Sequence, residues 1–87
     1  MDQNRLRTLL VELDHELKST GALDARSREL LEQVLADVRK LDSPADTGRH
    51  QSAEGRLREL VLHFETEHPR LSGAVAQVAD ALGKLGI

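Results

Sequence analysis

The last third of the chain, residues 64–87, limits the fold more than any other stretch. It reads FETEHPRLSGAVAQVADALGKLGI. After Pro69 only Arg70, Asp80 and Lys84 are ionised, and Ser, Ala and Gly fill the positions between Leu and Val. A helix so poor in charge is not stable alone in water, because most helical stability comes from packing an apolar face. It needs helices on more than one side, and its small side chains let their backbones come near. The rest of the chain is expected to supply those helices.

Two Leu-rich stripes precede it. Leu6, Leu9, Leu10, Leu13 and Leu17 recur at steps of three and four. At 100° per residue they fall within a stripe about 100° wide, which predicts an amphipathic helix from Asp2 to about Thr20. Asp2 or Asn4 is the candidate N-cap, and Gly21 is expected to end the helix in the left-handed conformation. Asp24 then caps a second helix, with Leu30, Leu31, Val34, Leu35, Val38 and Leu41 on its inner face. Arg39 and Lys40 complement the dipole at its end. The link between the two stripes is about four residues, and short links join antiparallel neighbours. Residues 2–41 therefore read as a helical hairpin.

Residues 42–51, DSPADTGRHQ, lack any apolar residue larger than Ala. With Pro44 and Gly48 they read as a mobile linker. Ser52 is the candidate cap of a third helix, with Ala53, Leu57, Leu60, Val61 and Phe64 inward. Gly55 weakens its first turns. His68-Pro69 breaks the pattern, since Pro disfavours helical geometry at the residue before it and suits the first position of a new helix. A fourth helix starts at Pro69 and turns Leu71, Ala74, Val75, Val78, Leu82 and Leu85 to one face. A single Pro-kinked helix over both segments is the alternative. Residues 52–87 thus form a second hairpin. The expected fold is all-α, one helical domain over residues 1–87 in which four helices form a small bundle and the fourth is central.

Composition narrows the chemistry. A chain of 87 residues buries about 60–65% of its unfolded surface, a thin margin for stability. With no Cys, one aromatic residue (Phe64) and no Trp or Tyr, the core is built from Leu, Val and Ala. No disulfide or thiolate metal site can form. Charged residues are 31% of the chain and the net charge is −3. That mixed surface offers no broad attraction to phosphate backbones. No window approaches 18 apolar residues, and the N-terminal stretch has no signal-peptide core. The chain reads as cytoplasmic, with no membrane segment.

Phe64-Glu65, His68-Pro69, Leu71, Leu82 and the terminal Gly86-Ile87 form a pattern of their own. In this it resembles the short bacterial proteins of domain of unknown function family 4404, which end in FE-x-x-HP-x-L, an apolar helix and a final GI. The resemblance is specific over residues 64–87 and general over 1–41. It implies a small bacterial helical protein and brings no catalytic or ligand residue. For the terminal pair the expectation is a clasp: Gly86 closes a Schellman motif and Ile87 packs on Leu82.

Other chemistries find little to stand on. Glu59, His63 and Glu67 are spaced i, i+4, i+8 and would share a helical face able to take a divalent ion. That face lies opposite the apolar stripe, and such residues also occur as plain surface pairs. No metal site or cofactor is expected there. His68 faces inward beside Pro69, where its side chain is expected to bond backbone groups left free at the helix ends. Ser19, Ser27, Ser43, Ser52 and Ser72 lie in no recognisable activating context. No phosphate loop occurs, and no small-molecule substrate is expected. Arg5 with Arg7, Arg26 with Arg28, and Arg56 with Arg58 are paired near helix starts. They are interspersed with acids and lack stacking aromatics, so they argue against nucleic acid. The expected function is a non-enzymatic interaction module, self-associating as a dimer or bound to another protein. Val11 and Leu62, off their helices' main stripes, are the candidate interface residues. The alternative is a small nucleic-acid-associated regulator using the Arg pairs.

Overall fold

A computed structural model describes residues 2–21, 23–40 and 47–85, with side chains for 4–21, 23–40 and 51–84. It contains four helices, α1 (Asp2–Ser19), α2 (Ala25–Arg39), α3 (Thr47–Phe64) and α4 (Pro69–Leu85), and no strand among the described residues. No helix there is long and apolar enough to cross a membrane. The fold is all-α, as the periodicity predicts.

Side-chain contacts fix the directions. Val61 faces Ser72, and Arg58 faces Asp80, so α3 and α4 run antiparallel. Ser27 meets His63 and Asp37 meets Arg56, so α2 is antiparallel to α3. Arg5 shares a depression with Asp80 and Lys84, whereas Glu16 lies beside Pro69 and Arg70, so α1 is antiparallel to α4. The helices therefore alternate up and down. Backbones come close between α3 and α4, between α1 and α4, and between α2 and α3. The fourth helix thus lies between α1 and α3. Small residues explain this position. Ser72 meets α3, Ala74 and Ala81 line the grooves toward α1, and interaxial distance follows the size of the side chains between helices. The α1 and α2 stripes run antiparallel, as a hairpin requires, but each helix has its closest neighbour elsewhere.

One apolar cluster fills the interior. It runs from Leu6, Leu13 and Leu17 through Leu31, Leu35 and Leu57 to Phe64, Leu71, Val75, Val78 and Leu82. Leu30 departs from its expected place. It is 39% exposed at the edge of α2, and Ser27 takes the inward position in the first turn instead.

The helix ends differ from expectation in three respects. Asn4 lies inside α1, because the helix begins at Asp2. No described glycine has a positive φ, so Gly21 does not close α1 in the left-handed conformation. Thr20 closes it: its amide reaches the Glu16 and Leu17 carbonyls, its hydroxyl donates to the Glu16 carbonyl at 2.7 Å, and the Arg28 guanidinium donates to the Thr20 carbonyl. A hydroxyl that supplies a bond to the last turn removes the need for a glycine conformation. The third correction is the start of α3. It begins at Thr47, so residues 47–51 of the expected linker are helical and Gly55 lies in the helix interior. Residues 42–46 of that linker lie outside the described residues, as do Gly86 and Ile87 of the expected clasp.

Asp24 caps α2 as predicted. Its carboxylate accepts the Ser27 amide at 3.1 Å from extended backbone. The hydrogen bonds from Ser27 hold the Asp24 carboxyl below the usual carboxylate value.

Candidate interaction surface

Phe64, His68 and Pro69 of the signature build the junction of α3 and α4. Phe64 is buried at the end of α3 with 1% exposure. Its ring is flanked edge-on by His63 at 5.1 Å and His68 at 6.1 Å between centroids. His68 is half-buried, and its backbone does the work expected of its side chain. The His68 amide donates to the Phe64 carbonyl at 2.7 Å, and its carbonyl accepts the Ser72 amide at 2.9 Å. One peptide position thus serves both the end of α3 and the start of α4, and Pro69 at the first helical position needs no partner for an amide it lacks. The helices are separate here, and no single kinked helix forms. Leu71 is buried beside the junction, and Leu82 is buried in the last turn of α4. Buried Ser72 adds a link that sequence spacing does not reveal. Its hydroxyl donates to the Val61 carbonyl at 2.9 Å, one of the carbonyls left free in the last turn of α3.

Ser27 also has a partner that lies 36 positions away in sequence. Its Oγ is 2.9 Å from His63 Nε2, which bridges α2 and α3. This corrects the expectation that no serine meets an activating group. A serine bonded to an imidazole is the first element of a nucleophile–base pair. Here Ser27 is 4% exposed, and neither residue lines the grooves beside α4. The Ser27–His63 contact ties α2 to α3.

The expected acidic-imidazole face does not form one line. Glu59 and His63 lie on α3, but Glu67 falls after its end at Phe64, and His63 turns to Ser27. Among the described residues no group of three or more His, Asp and Glu side chains is placed to hold a metal ion. The Arg pairs are spread over three helices. Arg56 contacts Asp37 at 2.9 Å, and Arg58 contacts Asp80 at 2.9 Å and Glu54 at 3.1 Å. Hydrogen bonds to Asp80 and then Glu54 hold the Arg58 guanidinium more firmly protonated.

Among the described residues, Val11 and Leu62 are the two large apolar side chains most open to solvent, 69% and 70% exposed. They are not brought together. Leu62 projects from α3, whereas Val11 borders an open groove between α1 and α4 that also holds Glu12, His15, Pro69, Arg70, Gly73, Ala74 and Gln77. A second groove continues it past Glu16, Ser19 and Thr20 to His68 and Leu71. The Pro69 end of the signature therefore opens onto the groove that carries the exposed Val11 of α1.

No solved structure matches this chain. A family model described as Domain of unknown function (DUF4404) matches residues 6–87, so the likeness extends from the last third to almost the whole sequence. The chain belongs to that family.

Proposed function

We propose that this protein is a non-enzymatic helical interaction module that pairs with a second copy of itself in the bacterial cytoplasm. One observation carries the reading: Val11 and Leu62 stay about 70% exposed while every other large apolar side chain of α1 and α3 is at least partly buried. Scattered exposed aliphatics are ordinary on a surface. These two are the residues that leave the helical stripes, and a chain of this size gains most from apolar area it can bury against a partner. The Arg-pair alternative draws less support, because Arg56 and Arg58 are occupied by carboxylates of the chain itself.

Thermal unfolding tests the reading. Association of the folded state alone makes the melting temperature depend on protein concentration. The midpoint is expected to rise steadily from sub-micromolar to hundreds of micromolar chain. A midpoint that stays constant over that range removes self-association.

A further inference from the structure

We infer that the second copy docks in the groove between α1 and α4, with a two-fold axis running along the groove. The inference rests on the self-association reading and assigns its seam. Val11 and Leu62 stand on helices separated by α4, so one seam takes one of them. The α1 wall carries Val11, and the α4 side carries Pro69, Gly73 and Ala74. A Cβ placed on Gly73 would meet nothing within 4 Å, so the surface of α4 is bare there. Charge is divided across the groove, with Glu12 and Glu16 on α1 and Arg70 on α4. Among the described residues, none of these three is in a salt bridge.

The antiparallel run of α1 and α4 sets the levels. Val11 shares its part of the groove with Gly73 and Ala74, and Glu16 shares its part with Pro69 and Arg70. Rotation about an axis along the groove lays α1 of one copy on α4 of the other without changing level. Each Val11 then enters the bare patch at Gly73 and Ala74 of the other copy. Each Glu16, with Glu12 one turn away, meets the opposite Arg70. An isologous interface repeats every contact twice, so a surface with a knob and a gap, an anion and a cation, matches itself. This self-match selects a second copy over an unrelated partner.

Light scattering on the full chain and four variants tests the seam. Gly73→Leu fills open space in the single chain, so its circular dichroism should stay that of the parent while dimer affinity falls about tenfold or more. Arg70→Glu should weaken the dimer, and so should Glu12→Arg with Glu16→Arg. Mixing these two charge-reversed chains should restore it at low salt, because both pairs then regain opposite signs. Leu62→Ser should leave the dimer intact. A parent chain that is monomeric throughout overturns both the seam and self-association. A parent dimer that survives Gly73→Leu and Arg70→Glu, or dissociates on Leu62→Ser, overturns the seam and leaves self-association standing.

Discussion

Phe64→Ala is the substitution whose cost the structure sets most sharply. Phe64 is the only aromatic residue, 1% exposed, and it closes α3 where that helix turns into α4. Removing a buried Phe ring costs about 3–5 kcal/mol, the lost transfer energy plus the cavity left behind. A chain of 87 residues at about 0.05–0.15 kcal/mol per residue holds roughly 4–13 kcal/mol in all. The variant should therefore lose roughly a quarter of its stability or more, and with total stability at the lower bound and the cost at the upper one it would be largely unfolded. Leu62→Ala is the matched control. It lies two residues away on the same helix at 70% exposure, and should change stability by no more than about 0.5 kcal/mol. Urea unfolding followed by circular dichroism, at a concentration too low for association, reads both. Equal midpoint shifts for the two variants, or a cost below about 1 kcal/mol for Phe64→Ala, would refute the placement of Phe64 in the core.

Three further outcomes follow from the helix ends and interior. Ser72→Ala should cost about 1 kcal/mol in urea unfolding, because the Val61 carbonyl loses its donor in a part-buried place. Gly55→Ala should stabilise by up to about 1 kcal/mol, since Gly55 lies inside α3 and a Cβ there meets nothing within 4 Å. Acid should weaken the start of α2 through Asp24. Its carboxyl has a lowered folded-state pKa, so its contribution is complete above the unfolded value of about 3.9 and disappears as pH falls through the lower folded value. The carboxyl resonance of Asp24 should titrate below that of an unfolded reference peptide. A midpoint at or above the reference would refute the cap.

Much of this fold was legible as periodicity. The Leu stripe of α1, the Asp24 cap and the start of α4 at Pro69 each follow from local rules that the structure obeys. The start of α3 was not legible, because periodicity registers only turns that bury something. Residues 47–52 offer no apolar side chain, and Gln51 and Ser52 are exposed on a helix all the same. The central place of α4 could be read from its small residues, whereas its position between α1 and α3 could not. A Leu stripe states which face is buried and leaves open what covers it. At the candidate surface, Val11 and Leu62 could be found as residues off the stripe. The groove beside Val11 could not, because it depends on Arg70 and Gly73 more than fifty positions away. The Ser27–His63 and Ser72–Val61 links are long-range for the same reason, and local sequence carries no signal for either.

Sedimentation equilibrium of the unmodified chain reads directly whether a folded 9.6 kDa chain pairs with its own copy through an exposed aliphatic surface. The apparent mass is expected to climb with loading concentration from 9.6 kDa toward twice that value, and to stop there because a two-fold interface closes on itself. A mass fixed at 9.6 kDa up to hundreds of micromolar would contradict the account, and so would a mass that passes the dimer and keeps rising.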